Sequence, residues 1–344
     1  MADNKKSVLI VGGGAVGAIA AVNLEVGGLA TVTLVLRSNY NVVKEHGYTI
    51  SSCDHGNLKG WRPSVVRNSI PNLVEEGIKP FDYVMLCTKN IPDVPPTAVD
   101  LISPALPTGS QANKTTLILL QNGINIEKPF LRPHANICIL SGISMIGSAE
   151  PEPGKIVHDE GDRLLVGAFS TSGINPAVPE RRAEEFVEIY GKGGKTKCTY
   201  SPDVLHDRWK KLVFNAALNP ICAITGLDDG RLRLADGALD GLVRPAMREI
   251  VEAAKAVCGV QLDEGVVEET IHIDPLESWL KPSMQQDLDK GNLIEFENLL
   301  GEPLKAGKDA GVSMPTLEVL YQLAKAIQWR IKESRGLVEV PGKK

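Results

Sequence analysis

The 344-residue chain has no stretch of 18 or more apolar residues, so it offers no candidate membrane span. It also lacks an excess of either charge. Its 37 Lys and Arg stand against 42 Asp and Glu, and a net charge of −5 gives no electrostatic pull towards nucleic acid or an anionic membrane surface. The six cysteines (53, 87, 138, 198, 222 and 258) include no C-x-x-C pair, which excludes the usual zinc and disulfide frameworks. The six histidines show no ligand spacing either, so no metal is expected. Met1-Ala2-Asp3-Asn4-Lys5-Lys6 is too short and polar to be a signal or transit peptide. These absences together fit a reduced, cytoplasmic compartment. The length, by contrast, is large for one core and favours two domains.

What is present begins with residues 7–37. Ser7 to Val11 is a short apolar run of buried-strand type, Ala18 to Val26 reads as a helix, and Thr31 to Leu36 is a second strand. Between the first two lies Gly12-Gly13-Gly14-Ala15-Val16-Gly17, the G-x-G-x-x-G spacing in its required strand–turn–helix context. Gly12 serves the tight turn, Gly14 lets the backbone approach a pyrophosphate, and Gly17 lets helix and strand pack closely. The N–H groups of Ala15 and Val16 open a helix whose dipole favours phosphate. This stretch predicts dinucleotide binding.

The second strand ends on Arg37, about 20 residues beyond the glycines, where an NAD site usually carries Asp or Glu. A guanidinium suits a 2′-phosphate better than a 2′-hydroxyl, so the expected cofactor is NADP, as NADPH. The alternative is a solvated arginine capping a strand.

Further along, Phe81–Thr88 (ending on Lys89), Thr115–Leu120 (running into Gln121-Asn122-Gly123) and Ile137–Leu140 read as strands. Helices are expected over Ile91–Leu101, from near Ile124, and over Pro179–Tyr190. Asn41–Ser52 and Trp61–Val66 should supply a short helix and extra strands, and Pro104–Lys114 a surface insertion. Strands alternating with helices argue for a mostly parallel, doubly wound sheet, with ligands outside the carboxyl ends of its strands. Lys89 and Asn122 are placed there beside the glycine turn. Gly154–His158 and Arg163–Gly167 look like a hairpin around the acidic loop Asp159–Asp162, and His158 reads as structural rather than as a base. Lys195–Tyr200 is the last strand expected. Residues 201–335 then read as an all-helical domain, after a first domain of residues 1–200, with residues 336–344 a frayed tail.

Val204 to Pro220 is the second informative stretch. As one helix it puts Lys211, Asn215 and Asn219 at i, i+4 and i+8 on a single face, in an otherwise apolar run beyond Trp209. A buried Lys–Asn–Asn stripe is costly unless it faces a partner; the other possibility is a solvated stripe on a surface helix. A lysine could protonate the alkoxide formed when hydride reaches a ketone, more easily if burial lowers its pKa. Carboxamides can both donate to a carbonyl and accept from the hydroxyl it becomes. Ser283 and Asp287 stand four apart, Glu295 and Glu297 fall in a helical context, and Pro315 to Trp329 forms a terminal amphipathic helix.

These anchors, in this order, resemble the ketopantoate reductases (2-dehydropantoate 2-reductases). They are Gly12 to Gly17, Arg37, Lys89, Gln121-Asn122-Gly123, Trp209 to Pro220, Ser283-Met284 with Asp287, and Glu295 before Leu300-Gly301. The resemblance implies an α/β protein: an N-terminal Rossmann-type doubly wound sheet that binds NADP, followed by an all-helical C-terminal domain. It implies NADPH-dependent reduction of 2-dehydropantoate to (R)-pantoate in the pathway to pantothenate.

By position, Lys211 would be the general acid, and Glu295 would orient the substrate hydroxyl and polarise the site. Asn215, Asn219 and Ser283 would hold substrate oxygens, Asn122 would touch cofactor and substrate, Lys89 would approach the cofactor, and Arg37 the 2′-phosphate. Where the family commonly has a hydroxyl residue two positions after Asn-Pro, this chain has Cys222, and Pro282 replaces a small polar residue. Both bear on pocket shape, so a related reductase of another branched 2-keto acid stays open. So does a non-catalytic NADP-binding protein, although it would need no polar set in the second domain. An opine- or 6-phosphogluconate-type dehydrogenase would use a different catalytic pair. The partner expected is a small 2-keto acid, and an apolar helical domain leaves a homodimer open.

Overall fold

The computed structural model describes residues 5–169 and 174–342. Residues 1–4 of the N-terminal stretch and residues 343–344 of the expected tail lie outside the described residues. The chain divides into two compact units. The first holds residues 1–88, 96–121 and 126–204; the second holds 89–95, 122–125 and 205–344.

In the first unit the strands are β1 (Lys6–Val11), β2 (Ala30–Val35), β3 (Tyr48–Ser52), β4 (Gly56–Trp61), β5 (Val65–Arg67), β6 (Tyr83–Leu86), β7 (Thr116–Leu119), β8 (Cys138–Glu152), β9 (Lys155–Ala168) and β10 (Lys197–Tyr200). The helices are α1 (Ala15–Val26), α2 (Tyr40–His46), α3 (Ala98–Ile102), α4 (Lys128–Leu131) and α5 (Ala177–Gly191). Strands β5-β2-β1-β6-β7-β8 run parallel in the doubly wound order that reverses beside β1. β9 pairs antiparallel with β8, and its other edge carries β3 near one end and β10 near the other.

The apolar runs become strands because both faces are covered. On β1, Val8 and Ile10 belong to a core shared with α1 and α5, while Leu9 and Val11 face a second core that includes Ile102 and Phe130 of α3 and α4. α1 is buried almost all round from Gly17 to Leu24, so small residues dominate it.

Several local expectations are corrected. The arms expected at Gly154–His158 and Arg163–Gly167 both fall in one strand, β9, which begins at Lys155, and the hairpin is β8–β9 with its turn at Pro153-Gly154. The acidic residues stay in the strand because Asp162 is buried and accepts from Asn23 Nδ2 and Tyr190 Oη, both at 2.7 Å. The helix expected over residues 91–101 shrinks to α3. Pro92, Pro95 and Pro96 deny it backbone donors, and a capping box between Thr97 and Asp100 starts it afresh. The helix near Ile124 is only the four-residue α4. The segment 104–114 is mostly exposed, as a surface insertion should be, but it carries 3₁₀ turns and sends Ala105, Leu106 and Ala112 into the core.

The second unit is helical among its described residues: α6 (Val204–Asn215), α7 (Leu218–Thr225), α8 (Asp229–Leu234), α9 (Arg244–Cys258), α10 (Val266–Ile271), α11 (Ser283–Asp289), α12 (Glu302–Asp309) and α13 (Pro315–Ser334). Trp209, Leu212, Val213, Met247, Ile250 and Leu317 are among the side chains of its core. The single helix expected over 204–219 breaks at Ala216-Ala217. Pro220 has no N–H for the Ala216 carbonyl and its ring would clash there, so the ladder stops and α7 restarts with Pro220 in its first turn. Glu295 is not helical either; it lies in the irregular segment 292–295 before a π turn at Glu297–Gly301. Among the described residues, no helix is long and apolar enough to cross a membrane.

Candidate functional site

In the first unit the glycine turn links β1 to α1. Gly12 has φ +101°, and a Cβ there would come within 2.9 Å of the Thr88 backbone nitrogen. A Cβ on Gly17 would lie 1.9 Å from the Gly12 carbonyl oxygen, so helix and turn touch only because it is glycine. Gly14 differs: the nearest atom to a Cβ would be Glu150 Oε2 at 3.7 Å. Its face is therefore left to something other than the protein's own packing.

The first turn of α1 has no side-chain cap and no acidic residue, and Ala15 and Val16 are half-buried. Backbone N–H groups at such a helix start suit a phosphate anion. Arg37 is exposed, two residues past β2.

Two residues outside the motif fix this turn. The Gly13 carbonyl accepts from Tyr48 Oη at 2.6 Å and from Asn39 Nδ2 at 2.8 Å. Burial, with the Glu150 charge adding, holds the Tyr48 phenol well above its ordinary pKa, so it remains a donor. Spacing alone gave no signal for Tyr48, which comes from β3.

The second unit gathers the remaining candidates. Lys211, on α6, donates from Nζ to Asn122 Oδ1 at 2.8 Å. Asn122 Nδ2 points to Glu295 Oε2 at 3.4 Å, and the Asn90 backbone N–H donates to Glu295 Oε1 at 2.9 Å. Lys89 Nζ lies 2.7 Å from Asp287 Oδ2 and 3.6 Å from Glu295 Oε2. Lys89 and Asn122 thus join a charged cluster with Lys211, Glu295 and Asp287, all in the second unit.

Burial pushes the Lys211 ammonium down to about 8; the positive charges of Arg208 and Lys89 also lower it, against an upward pull from Glu295. Lys89 goes the other way. Burial alone would lower it, but the facing Glu295 and Asp287 carboxylates outweigh that and hold it above its ordinary range.

The helix break puts Asn219 on α7, off the Lys211 helix. Its Oδ1 accepts from the Met284 backbone N–H at 2.8 Å, and its Nδ2 donates to Ser283 Oγ at 3.2 Å. Asn219 therefore secures the start of α11 and orients Ser283, which is exposed. Asn215, the last residue of α6, is buried.

Arg208, Asn90 and Asn298 were not singled out from the sequence. Arg208 Nη1 donates to the Gly123 carbonyl at 2.7 Å, and its place three residues before Lys211 on one helix was the available clue. Asn298 accepts from Asn90 Nδ2 at 2.9 Å and donates to the Ile124 carbonyl at 3.0 Å. Gly123, with φ +90°, is pressed so closely on Asn298 that a Cβ would lie 2.3 Å from its carbonyl oxygen.

A doubly wound parallel sheet with a glycine turn, and a helical unit holding a Lys–Asn–Glu cluster, together define a nucleotide-fold protein with a polar reaction site. Residues 8–171 match the family described as ketopantoate reductase PanE/ApbA, and residues 203–328 match its C-terminal part. An uncharacterised Saccharomyces cerevisiae protein is 36% identical over 96% of both chains. The crystal structure of 2-dehydropantoate 2-reductase from Methylococcus capsulatus is 29% identical, with a TM-score of 0.77 over 94% of this chain and 97% of that one. A D-mandelate dehydrogenase solved with NADH and anilino(oxo)acetate is 21% identical, with a TM-score of 0.77 over 95% of this chain and 99% of that one, and shares the fold. The chain belongs to the ketopantoate reductase family, a family of oxidoreductases.

Proposed function

We propose that the protein is an NADPH-dependent 2-keto acid reductase whose substrate is 2-dehydropantoate, giving (R)-pantoate on the way to pantothenate in the cytoplasm. The observation that carries this reading is the run of contacts from Lys211 through Asn122 to Glu295. It puts a proton donor of pKa about 8 in line with a carboxamide and a carboxylate.

The nicotinamide, when bound, supplies the hydride that reduces C2 of the keto acid. Lys211 gives a proton to the oxygen of that carbon, and the product is the 2-hydroxy acid. Asn122 holds the ammonium in place with Oδ1, and Glu295 orients the substrate hydroxyl. Ser283, aligned by Asn219, takes the substrate carboxylate together with Asn215. Gly12, Gly14, Ala15, Val16 and Gly17 hold the pyrophosphate, with the open face of Gly14 supporting this fit. Arg37 takes the 2′-phosphate, and Lys89 and Asn122 reach the cofactor from the charged cluster. In this reading residues 1–200 hold the cofactor, residues 201–335 choose the substrate, and two copies form a homodimer.

The second reading, reduction of a different branched 2-keto acid, is favoured by Cys222 and Pro282, both buried where the pattern differs. Following NADPH absorbance with 2-dehydropantoate against a panel of 2-keto acids separates the two. Turnover of another acid, with none of 2-dehydropantoate, removes the substrate and leaves the reaction. Replacing NADPH by NADH tests the Arg37 assignment, because a lost charge-assisted phosphate contact should weaken binding by about 10- to 100-fold. Equal use of both cofactors would remove it.

A further inference from the structure

The tip of the β3–β4 hairpin, in the first unit, brings Cys53 and Asp54 against His158 of β9. None of the three takes part in the chemistry above. One ligand-type atom from each, Sγ, a carboxylate oxygen and a ring nitrogen, lies within 4.8 Å of the other two. No local pattern hints at this, because Cys53 and His158 are 105 positions apart and only the β3–β9 register, Ser52 opposite His158, joins them.

His158 is the informative member. Its side chain is fully buried and its Nε2 has no hydrogen-bond partner. Nδ1 is engaged with Ser52 Oγ at 2.8 Å, which fixes the ring so that Nε2 faces the Asp54 carboxylate. Nε2 stands 3.8 Å from Asp54 Oδ2, and Cys53 Sγ stands 3.9 Å from Asp54 Oδ1. Both separations are too long for good hydrogen bonds. They are close to those of ligands sharing one tetrahedral ion, about 3.4 Å for nitrogen and oxygen and about 3.6 Å for sulfur and oxygen given ordinary zinc bond lengths. A buried ring nitrogen aimed at a carboxylate across such a gap is costly unless a cation fills it.

We propose that Cys53, Asp54 and His158 form a site for one divalent transition-metal ion of the zinc class. The set supplies one sulfur, one oxygen and one nitrogen, the donor types zinc prefers, and the exposure of Cys53 leaves a fourth position to water. Ser52 Oγ, itself held by the Asp54 and His55 backbone N–H groups at 3.2 and 2.9 Å, lies against Nδ1 and is the outer partner that orients the ligand histidine. Asp54 is itself held by the Asp162 backbone N–H at 3.0 Å. The ion would clip the hairpin tip to β9, a structural role independent of the reductase reading.

The test uses Co²⁺ alone as the probe on the purified full chain. One equivalent should bind and give a thiolate-to-cobalt charge-transfer band, and added Zn²⁺ should displace it. Cys53→Ser, at an exposed position, should abolish the band, whereas Cys258→Ser, at the other exposed cysteine, should leave it intact. Ser52→Ala should weaken binding about 10- to 100-fold. Zn²⁺ should raise the Tm of the wild-type chain and not that of Cys53→Ser. Absence of a stoichiometric ion, or a band that survives Cys53→Ser, would overturn the proposal.

Discussion

The Lys211 ammonium donates to Asn122 Oδ1 at 2.8 Å, joining residues 89 positions apart in sequence. Asn122 belongs to the short segment 122–125 that packs with the helical unit rather than with the sheet from which it emerges. Because its amide nitrogen is turned to Glu295, its oxygen is the end presented to the lysine.

That lysine sets a pH dependence. With its pKa lowered to about 8, Lys211 is protonated and able to act as an acid below that pH, and loses the proton as pH rises through it. The rate of keto acid reduction should therefore be flat below about 8 and fall by about tenfold per pH unit above it. Oxidation of the hydroxy acid, which needs the free amine, should rise through the same pH. Lys211→Ala should lower kcat on the order of 10²-fold or more and abolish both limbs. An unchanged kcat would remove Lys211 from the chemistry.

The two carboxylates beside Lys89 should separate in the same experiment. Glu295 raises the Lys211 pKa, whereas Asp287 is the 2.7 Å partner of Lys89. Glu295→Gln should therefore move the basic limb to lower pH as well as slowing turnover. Asp287→Asn should free Lys89 from its 2.7 Å partner and leave the limb where it was. Measured pH–rate profiles of the two variants check this, and a limb that moves in both would contradict it.

Gly14 and Gly17 should fail in different ways. An added methyl at Gly17 collides with the Gly12 carbonyl, so Gly17→Ala should lower Tm, at a cost of about 1–3 kcal/mol or more. At Gly14 the methyl meets no protein atom closer than 3.7 Å, so Gly14→Ala should keep the wild-type Tm while weakening NADPH binding. Thermal melts with and without NADPH distinguish them. Equal cofactor affinity in Gly14→Ala would show that the backbone there does not approach the ligand.

Much of the first unit was legible because its signals are local. β1, α1 and β2 announce themselves by an apolar run, a glycine turn and a second run, and β6 and β7 by short, largely apolar runs that the fold buries completely. The local pattern misleads where a distant partner overrules it. Asp159–Asp162 has the composition of a loop, but Asn23 and Tyr190 hold Asp162 inside a strand. The Lys211–Asn215–Asn219 stripe looked continuous because helical periodicity was extended through Pro220, which stops the Ala216 carbonyl from finding its donor.

The parallel sheet, the glycine turn, the helical second half and the residue types behind the family resemblance are all written in the chain itself. All of these follow from side-chain period and from backbone freedom at single positions. Folding alone brings Lys211 to Asn122, Lys89 to Asp287 and Glu295, Tyr48 to Gly13, and Cys53 and Asp54 to His158. Each is a hydrogen bond, ion pair or close approach between segments far apart in the chain. Such contacts last only a few ångströms and carry no periodic trace, so they exist for the molecule only once packing has brought the segments together.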